Sequence, residues 1–304
     1  MNEINKSQIK LSQLLALVAV AEHRNFSEAA LHLEMSQSAV SHAIASLEEQ
    51  LGVVLFYRGR HGAHLTPVGE RIKVHAREIL RSVYAIEKEA DLEKGLQGGV
   101  VRIACFRSVA THILPTAIAK FHTLFPDINV KITENDSFFS IEDSLRAGFA
   151  DIGFTYLPSS DEFETWEILR DDYIVLLPPN SNLDTKEISW QQLAKFPLII
   201  SALTPCHDYI LPYLNQAEYP LNIAYEIRED STIVSMVGKG LGAAIMPRLA
   251  AEPLPLGIKE CNLPVPLQRI IGVAILANAL HSPAIYAFLD ALRNTGNFAK
   301  KVAV

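Results

Sequence analysis

Near the N-terminus, apolar positions recur at helical spacing. Leu14, Leu17, Val18 and Ala21 form one stripe, and Ala29, Ala30 and Leu33 form a second. A third runs through Val40, Ile44, Leu47 and Leu51; Ser36 is placed to accept a bond from an orphan backbone N–H at its start, and Gly52 ends it. Ser27 is expected to cap the second helix in the same way. The tight Glu34-Met35 corner, with small alanines where helix axes must approach, matches helix-turn-helix packing. Leu55 and Phe56 then start a strand, Gly59 and Gly62 permit a turn, and Leu65 closes the return strand, which makes a wing.

Thr66 can cap the next helix, with Pro67 in its first turn, where a missing N–H costs nothing. Apolar or small residues follow at Ile72, Ala76, Ile79, Val83, Ile86 and Ala90. These alternating gaps of four and three are a heptad seam, and residues 67–94 predict a rod of about 42 Å that serves dimerisation. Gly95, Gly98 and Gly99 mark a linker. Beyond it, short β-rich runs alternate with helical ones. Strands are expected at 100–105, 128–132, 152–155, 174–177, 198–200 and 271–276. Helices are expected at 111–125, 141–148, 190–195, 208–214, 231–238 and 283–294. Such alternation predicts parallel sheets flanked by helices.

The chain has 304 residues, 49% of them apolar, enough for about two domains. Its net charge of −7 would not draw it to nucleic acid, so DNA contact requires a local patch. Arg58, Arg60, Arg71, Lys73 and Arg77 supply one, against only Glu70. Cys105, Cys206 and Cys261 are an odd set at wide spacing. They fit neither a disulfide framework nor a zinc site, and point to a reducing, cytoplasmic compartment without metal or cofactor. Lys6 and Lys10 ahead of the run Leu14–Ala21 imitate a secretion signal, but the same run reads better as a docked amphipathic helix. No apolar stretch is long enough to span a membrane.

The stretch from Asn25 to Gly52, NFSEAALHLEMSQSAVSHAIASLEEQLG, followed by Leu55-Phe56-x-Arg58 and Leu65-Thr66, closely resembles the LysR-type transcriptional regulators. The resemblance continues through Gly99-x-Val-Arg-Ile103, Leu114-Pro115, Phe125-Pro126, Leu145-x-x-Gly148-x-x-Asp151 and Gly240-Leu-Gly242 leading to Met246-Pro247. It implies an N-terminal winged helix-turn-helix over 1–66 and a linker helix over 67–97. The remainder, 98–304, would be an α/β, two-lobed effector domain like a type 2 periplasmic binding protein. Lobe I would comprise about 98–165 and 270–304, and lobe II about 166–269, with crossings near 165–168 and 266–270.

By the same resemblance the third helix enters the major groove of double-stranded operator DNA. Gln37 then suits an adenine edge, Ser38, Ser41 and His42 meet bases or phosphates, and Arg58 and Arg60 suit phosphates or the minor groove. Ser36 joins this set, although capping is its stronger role. His61 and His64 stand where relatives often carry arginine, which predicts an operator affinity that rises on acidification.

Effector contacts are expected after three strands: Arg107, Ser108 and Thr111; Ser201, Thr204 and His207; and Ser231, which equally suits a capping role. Phe138, in a further segment implied by the resemblance, adds an aromatic. Together they suggest a small ligand with a carboxylate and an apolar part. A homodimer or homotetramer is expected, with RNA polymerase as a further candidate partner. Cys206 beside His207 offers a redox-sensing alternative, in the region where peroxide-sensing relatives carry a reactive cysteine, but no resolving cysteine follows closely. Gly238-x-Gly240-x-Gly242 precedes a strand rather than following one, so it is not a dinucleotide loop. Motifs for an enzyme are missing, and a secreted solute-binding protein would leave the recognition-helix pattern unexplained.

Overall fold

A computed structural model of the chain describes residues 9–59, 62–135, 138–183 and 186–297. The chain divides into two compact units, Met1–Ala90 and Asp91–Val304.

The first unit opens with three helices, α1 (Leu11–His23), α2 (Phe26–His32) and α3 (Gln37–Leu51). Leu14, Leu17 and Val18 of α1, Ala29 and Ala30 of α2, and Val40, Ile44 and Leu47 of α3 are buried together, as their spacing requires. The cap of α2 differs from expectation. Asn25, not Ser27, occupies it, and its Oδ1 accepts from the Ser27 and Glu28 N–H groups at 2.8 and 3.3 Å. The helix begins two residues earlier than a Ser27 cap would place it, which puts Ser27 inside the first turn. Ser36 does cap α3, accepting from the Ala39 N–H at 3.1 Å, and Gly52 ends that helix in left-handed backbone at φ 67°.

The wing is an antiparallel pair, β1 (Phe56–Gly59) and β2 (Gly62–Leu65). The Glu48 carboxylate fastens it to α3 by accepting from the Leu55 and Phe56 N–H groups at 2.7 and 3.2 Å. Helix α4 (Pro67–Lys94) follows at once. Thr66 joins the two, since its hydroxyl donates to the Val54 carbonyl at 2.8 Å and accepts from the Gly69 N–H at 3.0 Å. Gly69 must be glycine, because a Cβ there would collide with the Leu55 carbonyl oxygen.

The second unit runs β3 (Val100–Cys105), α5 (Arg107–His112), α6 (Leu114–Leu124), β4 (Asn129–Glu134), α7 (Phe138–Arg146), β5 (Ile152–Tyr156) and β6 (Phe163–Leu177). It continues with α8 (Trp190–Leu193), β7 (Pro197–Ser201), α9 (Thr204–Leu214), β8 (Asn222–Ile227), α10 (Asp230–Gly238), β9 (Ala243–Pro247) and α11 (Arg248–Ala251). It ends with β10 (Lys259–Asn262), β11 (Gln268–Leu276) and α12 (Pro283–Leu292). The strand order is β4-β3-β5-β11-β6-β9-β7-β8, with β10 also on β6. Strand β3 is parallel to β4 and β5, and β7 is parallel to β8 and β9, so each lobe has the expected βα alternation.

Strand β6 belongs to both lobes. Its first part pairs antiparallel with β11, Phe163 opposite Leu276 through to Asp172 opposite Gln268, and its last part pairs with β9 and β10. The first crossing therefore lies at Asp172/Tyr173, later than the 165–168 expected and beyond the polar run Arg170-Asp171-Asp172. That run is strand because Asp171 finds a buried partner. Phe121, Phe154 and Phe288 fill the core of lobe I. In lobe II the neighbours Ile174 and Val175 fall into separate clusters on the two sheet faces, as strand alternation demands.

Candidate nucleic-acid interface and interlobe cleft

Helix α3 buries one side and offers the other. Val40, Ile44 and Leu47 are fully buried, whereas Ser36, Gln37, Ser38 and His42 are exposed and Ser41 is half-buried. The Ser36 hydroxyl is committed to its cap and lies 2.9 Å from that of Ser38, so it serves the helix before any partner. Gln37 and Ser41 share a groove of about 430 Å³ with Asn25 and with Gly59 and Gly62 of the wing. Arg60 and the side chains of Arg58 and His61 lie outside the described residues.

The basic patch is partly neutralised. Lys73 pairs with Glu70 and Arg77 with Glu22, each at 2.8 Å, while Arg71 donates to the Pro67 carbonyl at 3.0 Å. Glu22 comes from α1, a partner invisible in the local sequence. Partly exposed pairs of this kind are worth at most about 1 kcal/mol, so phosphates can replace the carboxylates.

In the second unit, α5 from lobe I and α10 from lobe II meet. A cavity of about 540 Å³ lies between them and the segment 250–256, and a smaller one of about 70 Å³ lies beside Phe106, Asn135, Tyr156 and Arg269. Arg107, Ser108 and Asp230 border both. Thr111 and Ser231 border the larger. Four expected effector residues, Arg107, Ser108, Thr111 and Ser231, are thus brought together. Ser201 and His207 are not among those lining these two cavities: the buried Ser201 hydroxyl accepts from the Leu203 N–H at 3.3 Å, and His207 lies 3.8 Å from Glu226. The side chains of Phe138, Thr204 and Cys206 lie outside the described residues.

An ion pair bridges the lobes, Arg107 to Glu229 at 2.5 Å. Beside it, burial pushes the Asp230 carboxyl above the usual carboxylate range, with Arg107 and Arg269 pulling it part of the way back. At the floor, Arg269 is only 2% exposed. Its guanidinium donates twice to Asp171, at 2.8 and 2.7 Å, once to the Tyr156 hydroxyl, and once to the Ser108 hydroxyl at 3.1 Å. It also lies over the Phe106 and Tyr156 rings at 5.2 and 5.3 Å. Asp171 accepts in addition from the Leu249 N–H at 3.0 Å. Both lobe-crossing strands, the head of α5 and α11 are therefore tied to one buried charge pair. Sequence reading missed Arg269 and Asp171; the available signal was Arg269 as the one charge in β11, against the Asp171-Asp172 pair within β6.

The two cysteines with described side chains are free and buried. Burial pushes the Cys105 thiol up to about 12 and the Cys261 thiol up to about 11.

Residues 11–70 match the bacterial regulatory helix-turn-helix proteins of the lysR family, and residues 94–297 match the LysR substrate binding domain. The chain is 51% identical over 287 residues to a protein of Synechococcus elongatus described as a probable HTH-type transcriptional regulator, LrrA, covering 94% of this chain and 97% of that one. It is 31% identical over 260 residues to a probable hydrogen peroxide-inducible genes activator of Streptomyces viridosporus, covering 81% of this chain and 80% of the other. Among solved structures it is similar to HinK, a LysR family transcriptional regulator from Pseudomonas aeruginosa, with a TM-score of 0.58 and 26% identity over 94% of this chain and 98% of that one. With matches to both halves and half of its residues shared with such a relative, the chain belongs to the LysR family of DNA-binding transcriptional regulators, carrying a helix-turn-helix and an effector-binding domain.

Proposed function

We propose that the chain binds a partly palindromic operator as a homodimer or a homotetramer of paired dimers, and that a small molecule held between the sensor lobes sets its effect on transcription. Residues 1–66 carry the DNA contacts, 67–97 join the protomers and 98–304 bind the effector. The observation that carries this reading is the exposed polar start of α3 opening on a groove shared with the wing. Gln37 reads a base edge, Ser38, Ser41 and His42 meet bases or phosphates, and Arg58 and Arg60 hold the backbone. Ser36 contributes through its cap. The effector, bearing a carboxylate, lies against Arg107, Ser108, Thr111 and Ser231, with Phe138, Ser201, Thr204 and His207 on neighbouring loops and helices.

The protein works by binding rather than turnover, in the cytoplasm, with RNA polymerase as the partner downstream. Among the described residues no helix is long and apolar enough to cross a membrane. A thiol switch at Cys206 is a second reading, favoured by the likeness to a probable peroxide-inducible activator.

Footprinting of the purified protein on the DNA upstream of its own gene tests the reading. Paired winged domains protect two related half-sites one helical turn apart, about 34–36 Å, or a multiple of it. A lack of protection at low salt would remove the operator-binding reading.

A further inference from the structure

One end of the larger interlobe cavity sets a guanidinium and a carboxylate side by side from opposite lobes. Arg107 opens α5 and Asp230 opens α10, and both border the cavity together with the hydroxyls of Thr111 and Ser231. The Arg107 guanidinium is engaged by Glu229, whose side chain is 57% exposed and has room to swing away. Glu229 thus holds the place that a ligand carboxylate would take. Asp230 is in the opposite condition. It is half-buried, and Arg107 and Arg269 attract its carboxylate without making a hydrogen bond or ion pair to it among the described residues, so a cationic group within bonding reach would relieve it further.

From this pair the cavity runs along α10. Ser231, Val234, Ser235 and Gly238 fall on one face of that helix, and their small size leaves the space beside them empty. At about 540 Å³ the space accommodates an aliphatic or polar side chain.

We infer that the effector is an α-amino acid, its carboxylate displacing Glu229 from Arg107, its ammonium taken by Asp230 and its side chain lying along α10. The inference rests on the effector-controlled reading above and narrows it. A simple organic acid would satisfy Arg107 but leave Asp230 unpaired. A simple amine would leave Glu229 on Arg107. Only a zwitterion engages both groups, and because they belong to different lobes its affinity depends on how the lobes sit, as an effector requires.

Calorimetric titration of the full chain with the twenty proteinogenic amino acids tests this, followed by the 2-hydroxy acid and the decarboxylated amine matching any that binds. The expected result is one site per chain for at least one amino acid, with both analogues at least tenfold weaker. Asp230→Asn weakens the amino acid at least tenfold without changing the affinity for the hydroxy acid, a readout that a merely structural role would not give. Glu229→Gln tightens binding severalfold by removing the internal competitor. An unchanged circular dichroism spectrum of each ligand-free variant verifies that it is folded. Equal affinity for the hydroxy acid, an unaltered affinity in Asp230→Asn, or no binding by any of the twenty overturns the inference. If other small molecules then shift the operator footprint, effector control stands and only the amino-acid assignment falls.

Discussion

At the residue scale, the sensor is organised around Arg269. Its side chain and that of Asp171 are 2% and 3% exposed, and the pair meets Ser108, Tyr156 and the Leu249 N–H. A buried pair adds little net stability, but breaking one leaves an uncompensated charge. Arg269→Met is therefore expected to cost about 3–5 kcal/mol in urea unfolding of the sensor unit, and a loss under about 1 kcal/mol would contradict this role. Asp230 works against stability. Its carboxyl is raised above the unfolded value, so its protonated form is favoured in the folded chain, and the stability it contributes is present at low pH and lost as pH rises through the raised value. Asp230→Asn is expected to raise the thermal midpoint of the ligand-free protein at neutral pH; a lowered midpoint would show that Asp230 is a structural carboxylate. The thiols give a third expectation. Peptide mapping after brief alkylation of the native protein at pH 8 should find Cys105 and Cys261 unmodified, and rapid labelling of either would contradict their burial. At this scale the sequence disclosed local chemistry, such as the Ser36 cap, but not Asn25 in place of Ser27. Both residues can cap, and only the entry angle of the chain decides between them.

At the scale of elements, α4 divides its apolar residues between two tasks. Ala76 and Leu80 are 1% exposed, while Ile79 and Ile86 stay 48% and 70% exposed. The expected seam is thus not one uniform stripe. Ala76 and Leu80 are buried against the chain itself, and Ile79 and Ile86 keep the heptad spacing on an open face, where the proposed dimer would seat a second copy of α4. Ile79→Glu with Ile86→Glu is expected to shift sedimentation from oligomer toward monomer at micromolar concentration; an unchanged oligomer would place the interface elsewhere. Elements rich in β-branched residues, such as β3 and β7, were legible because intrinsic preference and final structure agree. Strand β8 was not, and β9 was expected only as the strand that follows Gly242. The segment Ala243–Pro247 begins with alanines and ends in proline, and becomes strand because β6 and β7 flank it. The helix expected over 111–125 is broken at Ile113: Pro115 sits in the first turn of α6, and residues 111 and 112 belong to the end of α5.

At the scale of the whole molecule, the order of elements sufficed to foresee a winged N-terminal unit and an α/β second unit, because helical and strand periods alternate cleanly on either side of the glycines at 95–99, whereas the two lobes were expected from the resemblance to the LysR-type regulators. What the order could not reveal is which distant side chains meet. Ser108 and Arg269 are 161 positions apart and Asp171 and Arg269 are 98 apart, so no local window contains either pair. The helix and the wing that flank the groove were legible from local pattern and their DNA contacts from the family resemblance, and the central claim rests there: base reading by Gln37, backbone holding by Arg58. Fluorescence anisotropy measures it most directly, comparing the full chain on the duplex upstream of its own gene with an unrelated duplex of equal length, across 50–200 mM salt. The account predicts at least about a thousandfold preference for the upstream duplex, lost largely in Gln37→Ala, whereas Arg58→Ala weakens both duplexes alike and lowers the salt dependence by about one unit. Equal affinity of the wild-type protein for both duplexes would contradict it.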